Sequence, residues 1–194
     1  MSIPPNRRLF LQIGIGSAAL LAVSFGLLRH FQHGYAEQLS PSDIPLALST
    51  KAFAIVKAIV RTLTPAGDGF PDGVELGIPQ RIDEEFYVAP PAIRSDLAAG
   101  LQLLEHATLV HGYSHRFTAL APDQQRTYLQ TLSMGKQEAL RQVVLAIKQV
   151  VHLFYYAHPS VWGHIGYDGP FVKEPVYPDS HVLYQDLLRK RRAS

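Results

Sequence analysis

Nine histidines invite a metal centre, and His111 and His115 are spaced to share one face of a helix. A catalytic zinc needs three protein ligands and a structural one four, and no Asp or Glu beside this pair completes an H-E-x-x-H or comparable set. His106, His152, His158 and His164 are isolated from other ligands along the chain, so packing and hydrogen bonding are their expected roles. Asp83, Glu84 and Glu85 are consecutive, and from one short helix they cannot converge on a substrate; a solvated patch is expected. Asp68 and Asp72, among Gly67, Gly69 and Gly73, lack the alternating oxygen ligands and terminal glutamate of a calcium loop, which leaves a turn. The chain has no cysteine and no G-x-S-x-G nucleophile motif, so thiol catalysis, c-type haem attachment, iron–sulfur clusters and disulfides are excluded. No catalytic centre, cofactor or metal is therefore expected on this chain.

Its N-terminus is more specific. Arg7 and Arg8 stand directly before Leu9, Phe10 and Leu11, and an uncharged run to Leu28 follows. This reads as a twin-arginine export signal, the address of proteins that cross the bacterial inner membrane already folded. Such a route suits cargo whose cofactor or partner is seated before export. As a helix, Leu9 to Leu28 would reach about 30 Å, enough to span a bilayer core. Gly34-Tyr35-Ala36 offers a cleavage site, so removal and retention as an anchor both remain open. Gly14 to Ala19 also fits G-x-G-x-x-A, but that fingerprint works only between a strand and a helix of a parallel sheet, and none is signalled nearby.

With 194 residues the chain suits one domain after the signal segment at 1–36. A formal net charge of +2, with its basic excess at the two ends, is a poor footprint for nucleic acid. Residues 37–48 contain two prolines and little periodicity and read as a tether; the helical domain is expected over 49–194.

The elements that must position any site are helical. Ser49 or Thr50 caps a helix carrying Phe53, Val56, Val60 and Leu63, which Pro65 ends. Pro65 to Gly73 is dense in turn residues and reads as an ordered or functional loop. Short pieces are expected at Val74 to Leu76 and Ile82 to Tyr87, then a long helix from Ala92 to about Phe117. Pro122 opens another that closes at Met134-Gly135, and the clearest amphipathic helix runs from Lys136 to Ala157. The last, from Ser180 to Arg192, ends in four basic residues that suit a helix C-terminus; anionic lipid or an acidic partner is the alternative use. No stretch alternates with period two. The fold class is all-α, a single irregular helical bundle preceded by an N-terminal signal or anchor helix.

The stretch from Tyr155 to Pro170, with His158-Pro159, Trp162-Gly163-His164 and Gly166-Tyr167-Asp168-Gly169, resembles the tail of the gluconate 2-dehydrogenase small-subunit family. Leu63 to Gly69, Gly77-Ile78-Pro79 with Ile82-Asp83, and Phe117 with Leu120 and Pro122 are similar to the family in order and character. The resemblance covers about 50–171 and implies a non-catalytic accessory subunit. Its implied partners are an FAD-bearing large subunit of the glucose-methanol-choline (GMC) type and a multihaem cytochrome c subunit. The flavoprotein would travel on this chain's signal through the twin-arginine translocase to the periplasmic face of the inner membrane. A transient export chaperone, or a stand-alone periplasmic enzyme, is the competing assignment. Pro65, Asp68, Phe70, Trp162, Tyr167, Asp168 and Phe171 are the expected partner-contact residues, because large rigid aromatics bury area with little loss of side-chain freedom.

Overall fold

The computed structural model describes residues 34–65, 67, 69–170 and 179–193. The export-signal residues Arg7, Arg8, Phe10 and Leu11, and the expected contact residues Asp68 and Phe171, lie outside them. Residues up to Gln38 form a separate unit, whose described part is a single turn of 3-10 helix, Ala36–Gln38. The helical body begins at Leu39. Among its described residues it contains seven α-helices and no strand: α1 (Thr50–Leu63), α2 (Ile78–Val88), α3 (Pro91–Ala107), α4 (Pro122–Met134), α5 (Glu138–Ala157), the single turn α6 (Pro159–Trp162) and α7 (Asp179–Arg192).

Two helices organise the rest. α1 packs on α2, α3, α4 and α5, and α5 packs on all of these and on α6. Every residue of α1 from Ala52 to Val60 is buried, so this helix is apolar around its whole circumference. The Ser49 hydroxyl accepts from the Ala52 amide at 3.2 Å, and Thr64, in extended backbone before Pro65, stops the helix. α5 instead buries only the stripe Leu140, Val144, Ile147, Val151 and Tyr155, as its period predicts. α4 begins with proline at its first position, and the Gln124 side chain accepts from the Ala121 amide at 3.2 Å; alanine has no side-chain acceptor to complete a capping box.

The helix expected from Ala92 to Phe117 ends at Ala107. Its apolar spacing persists beyond the helix because a 3-10 turn, Leu109–His111, and Gly112 in left-handed backbone (φ 85°) fold the chain back over Tyr128. The rings of His111, Tyr113 and Phe117 surround Tyr128 at 5.9, 5.6 and 5.9 Å. Burial raises the Tyr128 phenol well above its ordinary pKa, helped by nearby Glu105, and its hydroxyl donates to the Leu104 carbonyl at 2.9 Å. The pieces expected at Val74 to Leu76 and Ile82 to Tyr87 are instead a turn and one helix, α2, with Gly77 (φ 75°) before it and Pro79 in its first turn.

The acidic triplet is not a solvated patch. Asp83 is fully buried and Glu84 is 4 % exposed; Glu85 alone is partly open. The Asp83 carboxylate accepts from the amides of Leu46 (2.7 Å), Ala47 (3.1 Å) and Leu48 (2.7 Å) and from the Tyr184 hydroxyl (2.7 Å). One side chain thereby binds both the segment read as a tether and α7 to α2. Asp43 adds a second tie, pairing with buried Lys57 at 2.5 Å and accepting from Gln80 at 2.9 Å. Burial raises the Asp43 carboxyl pKa, but the Lys57 hydrogen bond and those from Ser40 outweigh it and leave it below the usual value.

Candidate functional site

The two segments expected to meet a partner are neighbours in space. The Pro65 to Gly73 loop folds on itself through an isolated bridge between Gly67 and Phe70, with the Phe70 amide donating to the Gly67 carbonyl at 3.0 Å. Asp72 accepts from the Val74 and Glu75 amides at 2.6 and 3.2 Å and closes the next turn. Gly73 has no room for a side chain: an added Cβ would lie 2.6 Å from Thr64 Cγ2, so the loop leaves α1 tightly packed against its end. The Tyr155 hydroxyl, at the end of α5, donates to the Pro71 carbonyl at 2.9 Å.

From α5 the chain turns at His158, whose Nδ1 accepts from the Ser160 amide at 3.3 Å, into α6 and a 3-10 turn, Gly163–Ile165. That turn brings His164 to the loop, where its ring lies 5.0 Å from that of Phe70. Trp162 is half-buried and meets Tyr167 edge to face at 5.4 Å. Gly169 (φ 101°) runs across the indole, and a Cβ there would sit 3.1 Å from Trp162 Cζ3. Among the described residues the Trp162 Nε1 is buried without a hydrogen-bond partner. Tyr167 is 47 % and Ile165 45 % exposed, while Asp168 and Pro65 face solvent. Tyr156, 40 % exposed, meets Tyr155 edge to face at 5.2 Å and extends the aromatic surface along α5.

Phe70, Trp162 and Tyr167 thus belong to one end of the bundle, with Pro65 and Asp168 on its exposed margin. His164 and Tyr155, which join the two segments, were not among the expected contact residues; their place beside the aromatic cluster was the available signal. The expected histidine pair separates. His111 meets Gln137 Oε1 at 3.1 Å, and His115 lies on exposed chain after the helix has ended. Among the described residues no group of three His, Cys, Asp or Glu side chains is arranged to hold a metal ion.

Elsewhere, polar groups are engaged internally. Glu105, fully buried, accepts from the Thr118 hydroxyl and amide at 2.6 and 3.1 Å and lies 3.5 Å from Arg116 Nε. The Lys51 ammonium donates to His106 Nε2 at 2.9 Å; burial lowers the pKa of both. Arg81 pairs with Glu84 at 2.9 Å and with Glu85 while lying over the Phe154 ring at 5.1 Å. One apolar groove of about 250 Å³ opens between α2, α3 and α5, lined by Phe86, Ile93, Leu97, Val143, Ile147 and Val150. Among the described residues no nucleophile is paired with a base at the aromatic end or in this groove. Both have the character of contact surfaces.

Residues 50–169 match the model of a protein family described as gluconate 2-dehydrogenase subunit 3. The chain belongs to that family. Its description makes it a subunit of a gluconate 2-dehydrogenase complex, so dehydrogenase subunits are its natural partners. No curated protein and no solved structure shows significant similarity to the chain. The matched stretch starts at α1 and ends at Gly169, which places the whole aromatic end inside the family's region and α7 beyond it.

Proposed function

We propose that the chain is the non-catalytic small subunit of a periplasmic, membrane-associated dehydrogenase complex, and that it binds, stabilises and co-exports an FAD-dependent subunit of the GMC type. FAD resides on that partner, and a multihaem cytochrome c subunit accepts its electrons. Arg7 and Arg8, before Phe10 and Leu11, supply the twin-arginine address for both proteins. The observation that carries the docking role is the aromatic end. A half-buried tryptophan beside exposed Tyr167 and Ile165 offers a continuous aromatic and apolar area to a partner.

The test is co-expression with a GMC-type flavoprotein that lacks its own signal. A yellow complex is expected to survive size exclusion, and Trp162→Ala is expected to release the flavoprotein. Arg7→Lys with Arg8→Lys is expected to strand the flavoprotein in the cytoplasm. Recovery of the chain as a colourless monomer that turns over substrate unaided would overturn the proposal. Association with the precursor alone, absent from the mature complex, would replace the subunit with a transient export chaperone.

A further inference from the structure

α7 lies outside the family's matched region, yet it is held in one orientation. Its inward face carries Tyr184, bonded to Asp83, and Leu188, 8 % exposed; His181 Nδ1 lies 2.5 Å from Glu84 Oε1. Further along the same face Arg191 donates to the Pro45 carbonyl at 2.8 Å, and Tyr87 packs edge to face on Tyr184 at 5.9 Å. With about 100° between successive residues, the opposite arc presents Val182, Leu183, Asp186, Arg189 and Lys190. All five are exposed, Val182 by 53 % and Leu183 by 52 %. The last turn thus gathers Arg189, Lys190, Arg191 and Arg192 against two aspartates in the whole helix, one of which, Asp186, pairs with Arg189 at 3.2 Å.

We infer that the outward face of α7 is a contact surface for anionic lipid headgroups, with Val182 and Leu183 at the headgroup–acyl boundary and the basic turn among the phosphates. Complementing the helix C-terminus accounts for basic residues in the last turn, but not for two large aliphatic side chains exposed on the same arc. Arg191 is held by the Pro45 carbonyl, and Arg189, Lys190 and Arg192 spread over the rest of the circumference, so a rigid acidic protein surface would meet only part of them. A fluid headgroup layer can adapt to these three, and it also accepts the aliphatic pair. The inference rests on α7 alone and stands independently of the proposed flavoprotein partnership.

The test is flotation of the full chain with vesicles of phosphatidylcholine alone and with about a third phosphatidylglycerol, the neutral set registering any uptake by the apolar N-terminal run. Stronger partitioning into the anionic vesicles is expected. The triple variant Arg189→Gln, Lys190→Gln, Arg192→Gln is expected to weaken that partitioning roughly 100-fold, since each basic residue near such a surface contributes about fivefold. A charge-matched control, Arg94→Gln, Arg126→Gln, Lys136→Gln, is expected to stay within about twofold of the parent. Equal losses in both triple variants, or no loss in the α7 variant, would overturn the inference. If the α7 variant loses retention on immobilised polyglutamate while vesicle binding is unchanged, the surface serves an acidic protein instead.

Discussion

Asp83 and Trp162 mark two regions built on opposite principles. Around Asp83 three backbone amides and a phenol converge on one fully buried carboxylate, and three separate stretches of chain are fastened together. Around Trp162 the packing is aromatic and half open, and a buried N–H has no partner among the described residues. A buried charge with its bonds satisfied holds structure in place. Exposed rings in a half-open cluster leave apolar surface that the isolated chain does not cover. The difference separates a region that holds the fold together from one whose surface is open.

Breaking the first region has the largest expected effect. Asp83→Ala leaves three amides and the Tyr184 hydroxyl without their acceptor and is expected to reduce stability by about 4 kcal/mol, read as a lower urea midpoint. A loss under about 1 kcal/mol would show that the tie is not structural. At the aromatic end, Trp162→Ala is expected to weaken flavoprotein binding by about 2 kcal/mol or more. Trp162→Phe sharpens the point, since it removes the N–H and keeps most of the apolar surface. The free chain should then be unchanged or up to about 1 kcal/mol more stable, and the complex should lose less affinity than with Trp162→Ala; equal losses of affinity in the two variants would show that the apolar surface of the indole is not what docks.

Between the two regions, Gly73→Ala is expected to destabilise by about 2 kcal/mol, because the stiff, buried Thr64 side chain cannot yield to the new methyl group. Loop distortion there should also move Phe70 and His164, visible as a loss of partner affinity beyond that explained by unfolding. A smaller effect is expected from pH. Burial lowers the pKa of His106, with Lys51 and Arg116 adding to it, and also of His152, so both resist protonation more in the folded chain than in the unfolded one. Their contribution is complete above the unfolded histidine value of about 6.5 and declines as pH falls below it, because the unfolded chain takes up the protons first. The melting temperature should therefore drop between pH 7.5 and 5.5, and His106→Gln with His152→Gln should flatten that slope. Asp43 acts lower: its depressed pKa contributes above about pH 4, and that contribution disappears as pH falls through the folded value.

Local rules set much of this molecule. Ser49 and Pro65 delimit α1, Pro122 opens α4, and the periodicity from Leu140 onward specifies α5, because caps, prolines and apolar spacing act through neighbours in the chain. The residues of the aromatic end could also be picked out, since their types and the turn residues around them belong to short continuous stretches. Asp83 could not be read in the same way: its amide donors lie 35 to 37 residues before it and its phenol donor 101 after it. In sequence it is the first of three like charges, and like charges in a row predict solvent.

Sequence alone therefore determined an all-α chain and its family, and it marked two turn-rich, aromatic segments that the fold brings to one end. Tertiary structure decided that α3 stops at Ala107, that Phe70 meets His164, and that two of three consecutive carboxylates turn inward. The reason is range: hydrogen-bonded turns and caps are specified within a few residues, whereas the burial of a charge depends on donors that only the folded chain brings together.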